Sequence, residues 1–275
     1  MKKVLLSAVA ALAITAAPAV AADMPVKAYK AAPVAYVSPF DVAFGAAFTT
    51  DYILRGISQS NRKPAVQAYF EGRYTINDMF QIYAGVWGSS VASYLANAEI
   101  DPNAGVRFTF GQFGLDLGYV YYYYPDGTSI PGTGYGSFGE FYAKPSFKFN
   151  DWLTIGGVIT GGNNFNNGYL IAGSTTAYFY AGNASITLPW QPAGISIALN
   201  PEIGRQVYEC TGCTSYTWWN VGLVLNYKAV TLDLRYWDTN RHNVYIAPAA
   251  FGGKDLAGST FVATLKFDTT LLALK

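Results

Sequence analysis

The chain is poor in almost everything that soluble catalysts and nucleic-acid binders depend on. Among 275 residues there are one histidine and two cysteines, and charged side chains make up only 13%. A serine nucleophile generally needs a base within hydrogen-bond reach. The sole histidine, His242, sits beside Arg241 and Asn243 in a long connection, and no G-x-S-x-G occurs. No catalytic residue and no enzyme activity are therefore expected. One histidine and a close cysteine pair fall short of a four-ligand zinc site, so no metal is expected either. Gly161-Gly162-Asn163-Asn164 and Asn166-Asn167-Gly168 read as turns, lacking the lysine and following helix of a phosphate cradle, and no cofactor is expected. A formal net charge of +1 supplies no clustered excess of Lys and Arg, which argues against a nucleic-acid surface, and no nucleic-acid partner is expected. After the first twenty or so residues no long apolar run occurs, so spanning a membrane by α-helices is excluded as well.

What is present is hydrophobicity spread by alternation. Half the chain is hydrophobic, with 22 Tyr, 17 Phe, 6 Trp and 28 Gly. In Asp41 to Arg55 one parity reads Val42, Phe44, Ala46, Phe48, Thr50, Tyr52, Leu54, and the other Ala43, Gly45, Ala47, Thr49, Asp51, Ile53, Arg55. Successive strand residues point to opposite faces, so this places an oily stripe on one side and small or charged groups on the other. Twelve such stretches are expected, near 41–55, 64–76, 80–89, 98–110, 113–124, 138–149, 152–160, 176–188, 194–206, 216–227, 230–238 and 259–268. A closed barrel with its apolar face toward lipid satisfies all of them at once. A soluble β-sandwich would not explain the connections, which are short after even-numbered strands and long after odd-numbered ones. Membrane barrels of the outer-membrane type place short turns in the periplasm and long loops outside.

The flanks fit export. Met1-Lys2-Lys3, the uncharged stretch from Val4 to Ala17 and the small residues Ala19 to Ala22 read as a secretory signal peptide, residues 1–22, cleaved after Ala21 or Ala22. Residues 23–40, rich in Ala, Pro and Lys, read as a linker, and 41–275 as the barrel. In an exported protein Cys210 and Cys213, in Cys-Thr-Gly-Cys, are expected to form a disulfide that clips a loop. A thioredoxin-like centre would require a βαβ context and a helix start.

The inward parity collects Asp51, Arg55, Glu71, Arg73, Glu99, Asp101, Arg107, Asp116, Glu140, Lys144, Lys148, Glu202, Asp233, Arg235 and Lys266 as lumen-lining candidates. Asp51 and Arg55 are read as an inward acid–base pair or as a solute contact. Acidic groups are expected toward the outer half and basic groups toward the inner half, a longitudinal dipole that focused fields would turn into asymmetric conduction. Tyr121 to Tyr124 and Trp218-Trp219 read as an interfacial aromatic belt, or as a surface for stacking carbohydrate.

Thr49-Thr50-Asp51-Tyr52-Ile53-Leu54-Arg55-Gly56-Ile57-Ser58-Gln59-Ser60 with Lys63-Pro64-Ala65-Val66-Gln67, and Tyr83-Ala84-Gly85-Val86-Trp87-Gly88-Ser89-Ser90-Val91, resemble the two signature blocks of the TorF-like porin family of Gram-negative bacteria. Tyr121 to Pro125 is a weaker third. Ala22 to Ala28 is similar to the mature N-termini of alphaproteobacterial outer-membrane proteins. The resemblance implies an outer-membrane channel and leaves its cargo open. The C-terminus departs from the pattern, because Asp268 to Lys275 follow the aromatic Phe267 on which such barrels usually end. The expectation is a twelve-stranded antiparallel transmembrane β-barrel that lets small polar solutes diffuse, with outer-membrane lipids, lipopolysaccharide and the barrel assembly machinery as partners. The alternatives are a non-conducting structural or surface-interaction barrel and a substrate-specific channel.

Overall fold

Alternation along the chain becomes a single closed sheet. The computed structural model describes residues 38–127, 136–165, 175–209 and 213–274. Its strands are β1 (Phe40–Thr49), β2 (Ile53–Leu54), β3 (Ile57–Ser58), β4 (Ala65–Asn77), β5 (Phe80–Ser89), β6 (Glu99–Phe110), β7 (Phe113–Tyr122), β8 (Phe138–Lys148), β9 (Leu153–Phe165), β10 (Thr175–Thr187), β11 (Ser196–Tyr208), β12 (Tyr216–Tyr227), β13 (Val230–Thr239) and β14 (Thr260–Thr270). Twelve of these, β1 and β4 to β14, form a closed barrel in which each pairs antiparallel with its sequence neighbours, and β1 meets β14 across the seam. β2 and β3 form a separate two-stranded hairpin. Among the described residues there is no α-helix.

The two faces follow the sequence parity. Phe48, Val66, Phe70, Ile82, Val86, Leu117, Ile155, Leu199, Leu223, Leu234, Phe261 and Leu265 are exposed on the outside, Phe261 by 79%. An apolar band of this kind is stable only against lipid. Inward positions alternate with it and carry the charges. Gly105 shows why some are glycine: a Cβ there would come within 2.7 Å of the Tyr83 ring, which lies across it from the neighbouring strand.

Three prolines interrupt the wall in the same way. Between β6 and β7 pairing lapses beside Pro102, between β8 and β9 beside Pro145, and between β10 and β11 beside Pro201. Proline has no N–H to give to a ladder.

One end carries short turns, such as Gly111-Gln112 and Lys228-Ala229, and the other carries the long connections. The first strand corrects the sequence reading. It ends at Thr49 rather than Arg55, and residues 50–64 leave the wall and turn into the lumen. Tyr52 and Leu54 continue the alternation of β1, which disguised the break. The 240–259 connection and 90–98 fold inward as well. Ile57, Tyr94, Leu95, Tyr245, Ala247, Leu256 and Ala257 pack with wall residues Phe138, Phe179, Tyr208, Tyr216 and Trp218 into a buried core inside the loop end. The β2–β3 hairpin is tied in by backbone bonds from Ser58 N to Leu256 O (2.9 Å) and from Ala92 N to Gln59 O (2.8 Å).

The run from Tyr121 to Tyr124 divides by parity. Tyr121 and Tyr123 face out as a belt, whereas Tyr124 is buried and Tyr122 packs against the internal core, stacked on Phe138. Trp218 and Trp219 divide likewise, Trp218 inward and Trp219 outward. The exposed Phe267 is followed not by a loose tail but by three more residues of β14, Asp268 to Thr270.

Candidate functional site

The lumen holds two sets of charges at different levels. Toward the short-turn end, the four consecutive strands β4 to β7 build the first. Arg107 grips Glu71 in a fork, Nη1 to Oε1 and Nη2 to Oε2, both 2.9 Å, and its Nε approaches Asp116 Oδ2 at 3.4 Å. Arg73 Nε donates to Glu71 Oε1 at 2.5 Å. The Arg107 guanidinium lies 3.9 Å from the centre of the Tyr83 ring. Tyr83 donates to Asp116 at 2.5 Å, and its hydroxyl also bonds that of Tyr142. Across the lumen Arg235 pairs with Asp233 (2.9 Å) and bonds Asn220, whose amide donates to Glu202 at 3.2 Å. These pairs offset the expected excess of inner positive charge, since Glu71, Asp116 and Asp233 lie within reach of the bases. Charges held in a confined interior are expected to be paired in this way.

The three remaining lysines stand differently. Lys148 pairs at the turn end with the exposed Asp151. Lys144 has its Nζ 4.3 Å from the centre of the Tyr142 ring, a cation–π contact. Lys266 occupies an inward position of β14 opposite Ala47.

At the loop end the geometry differs from the sequence expectation. Asp51 and Arg55 do not pair with each other, because the chain turns between them. Asp51 accepts from Ser58 Oγ (2.6 Å) and Ser60 Oγ (2.8 Å) and pairs with Arg62 at 3.2 Å. Burial raises the Asp51 pKa against these partners, each of which lowers it. Arg62 in turn donates to the carbonyls of Asp255 and Gly258, joining this knot to the last long loop. Tyr52 donates to Glu99 at 2.9 Å, beside Asp101 on the same face of β6, and its ring lies 5.5 Å from that of Trp87. Both sequence blocks that carry the family resemblance thus meet inside the barrel.

Arg55 stands at the tip of the hairpin. Leu54 pairs with Ile57, so Arg55 and Gly56 form a two-residue turn with φ of 51° and 81°. Paired positive φ is the type I′ geometry that suits hairpins and favours Asn-Gly. An arginine there carries a backbone strain of about 1 kcal/mol. Gly56 also has no room for a side chain, since a Cβ would fall 2.7 Å from Trp218. The guanidinium enters a socket made wholly by the wall. Nη1 donates to Glu140 Oε1 (3.0 Å) and Gln206 Oε1 (2.9 Å), Nη2 donates to Glu140 Oε2, and Cζ lies 4.4 Å from the centre of the Phe179 ring. Glu140 and Gln206 are each 1% exposed. Burial opposes the charge on Arg55, but the Glu140 carboxylate outweighs it and leaves the pKa above the ordinary arginine value. The sequence showed Glu140 as a lumen candidate but gave no sign of Gln206 or Phe179, because neither is charged.

His242, the one histidine, bonds Asp238 Oδ1 at 2.6 Å on the exposed outer side. Cys213 is disulfide-bonded and lies against the internal aromatic core. Cys210, the signal peptide and most of the linker lie outside the described residues.

The profile of a bacterial family described as proteins of unknown function, Gcw_chp, matches residues 34–268. The chain belongs to that family. No curated protein matches it by sequence. Among solved structures it is similar to one from a study of in-meso crystallization of membrane proteins, with 10% identity, 83% of this chain and 84% of that one covered, and a TM-score of 0.51. It also aligns with the NanC porin (11% identity, 84% and 98% covered, TM-score 0.48) and with an outer-membrane channel of Pseudomonas putida F1 (10%, 88% and 100%, 0.48). At these identities the likeness concerns the fold.

Proposed function

We propose that the chain is a porin-like channel of the Gram-negative outer membrane, through which small polar solutes diffuse passively. The observation that carries this reading is the twelve-stranded closed wall with an apolar outside and a charged inside, an arrangement suited to surround a polar path through lipid. On this reading the short turns face the periplasm, the loops face out, lipopolysaccharide meets the outer belt, and the barrel assembly machinery inserts the chain. The resemblance of residues 49–67 and 83–91 to TorF-like porins supports it, as does the export-type N-terminus of alphaproteobacterial character. Twelve strands enclose a narrow lumen, and the packed loop end narrows it further.

The purified protein should give small conductance steps in planar bilayers and admit small sugars or amino acids in liposome swelling. A protein that folds and never conducts would refute the channel. It would favour the second reading, a structural or surface-interaction barrel, for which the buried core at the loop end speaks. Orientation has its own check. An epitope inserted between Thr239 and Gly258 should be reached by antibody on intact cells, and one at Asn150-Asp151 only after the outer membrane is breached.

A further inference from the structure

We infer that Glu140, Gln206 and Phe179 form a binding site for a guanidinium-type cation, which the protein's own Arg55 occupies at rest. The class of ligand is read from the socket. Glu140 presents both carboxylate oxygens to the two Nη atoms, the Gln206 side-chain oxygen takes a further N–H, and Phe179 offers its face to the planar cation. A fork of acceptors with a ring face above it matches a planar, delocalised cation better than a spherical one.

Three features distinguish this arrangement from an ordinary structural ion pair. Every group of the socket stands on a barrel strand, Glu140 on β8, Phe179 on β10 and Gln206 on β11. The site therefore remains assembled when the hairpin leaves. The occupant comes instead from a segment that is not part of the wall, a two-residue turn in which a residue other than glycine holds φ of 51°. Such a conformation persists only where its surroundings hold it, and here the socket is what holds the tip. Phe179 is also backed by Trp218, stacked 5.7 Å away and nearly parallel, so the ring face is fixed before any cation arrives.

A free ligand must compete with a tethered one. The hairpin keeps Arg55 at a high effective concentration beside the socket, so an external cation binds weakly until that occupant is removed. Where it does bind, the tip is released, and residues 50–64 lose one of their attachments to the wall. On the channel reading, on which this last step rests, solutes carrying a guanidinium would open the loop end to themselves.

The test uses the full mature chain folded in detergent micelles, with methylguanidinium chloride as probe and tetramethylammonium chloride at equal ionic strength as control. Tryptophan fluorescence is the readout, with Trp218, stacked on Phe179, the tryptophan placed to respond, and a Trp218→Phe background identifies its share among the six tryptophans. Arg55→Ala should bind methylguanidinium saturably and at least about tenfold more tightly than the unaltered protein. The double variant Arg55→Ala with Glu140→Gln should lose that response, and the control should give none. Should Arg55→Ala not fold, Arg55→Lys keeps a cation at the tip without the fork and should still bind the probe more tightly than the unaltered chain. Equal affinity with and without Arg55, or a response that survives Glu140→Gln, would overturn the site. Conductance separates the two readings. Probe binding to a protein that never conducts leaves the site standing and removes the channel, whereas conduction with no probe binding in Arg55→Ala does the reverse.

Discussion

The two ends of the lumen neutralise their charges by different means. At the short-turn end Arg107, Glu71, Arg73 and Asp116 all grow from the wall strands β4, β6 and β7, and bond within β4, over the intervening β5 and between β6 and β7. At the loop end Glu140 and Glu99 meet partners, Arg55 and Tyr52, that arrive on an inserted segment. The first arrangement belongs to the wall, and breaking it leaves charges on fixed strands with fewer partners, since none of them can move away. The second is a join between wall and insert, and breaking it lets the insert move away. The comparison therefore separates a part that stabilises the barrel from a part that can be lost while the barrel survives.

The strongest way to break this comparison is Arg107→Ala. It leaves Glu71 and Asp116 without their shared partner, and the expected loss is about 3–5 kcal/mol, read as a lower urea midpoint in micelles. A loss under about 1 kcal/mol would mean that water relieves these groups and the wall does not need the network.

Next in size is the outer face. Leu234→Arg, exposed at the middle of β13, should cost roughly 2–4 kcal/mol in lipid and impair assembly. Ser146→Arg, on the inward face near the turns, should assemble normally. Equal damage from both would show that the faces are wrongly assigned. Ala43 is no control of this kind, since it is completely enclosed.

Arg55→Ala should have a smaller global effect than Arg107→Ala. Its signature is local: residues 50–64 become open to limited proteolysis while the barrel keeps its heat-modifiable migration on gels. If the whole barrel unfolds as readily as with Arg107→Ala, the two ends do not differ as described.

The smallest expected effect concerns selectivity. Arg107 and Arg235 spend their charge on neighbours, so the weak preference of the lumen should rest on Lys144 and Lys266, for which no ion pair is formed among the described residues. Replacing both by Gln should move the reversal potential in a salt gradient toward cations, and the shift should shrink at high ionic strength. An unchanged potential in a protein that still conducts would place selectivity in the loop end instead.

The wall was legible because its physics is local. Alternation located all twelve strands, and β5 and β12 fall at the residues the pattern gives, 80–89 and 216–227. The loop end was not legible, for two reasons. Tyr52 and Leu54 extend the parity of β1, so the pattern carries no mark where the chain departs. The partners are also remote, 85 residues from Arg55 to Glu140 and 151 to Gln206, and no short-range signal records a meeting at that distance. The inward parity marks these charges for pairing in the lumen, but it sets Asp51 beside Arg55, whereas Asp51 pairs with Arg62 and Arg55 with Glu140.

The knot that ties residues 50–64 to the last long loop bears on the order in which the molecule comes together. Asn61 bonds the carbonyl of Phe251, 190 residues away, and Arg62 that of Gly258, 196 away. Contacts so distant in sequence are entropically late, since nearly the whole chain must be in place before they can form. The segment made just after the first strand thus waits for the one made just before the last. Until β14 closes on β1 the hairpin has no anchor at its far side, and the growing sheet stays open at its wide-looped end. The insert then docks together with the seam, so that closing the wall and narrowing its mouth become one late event.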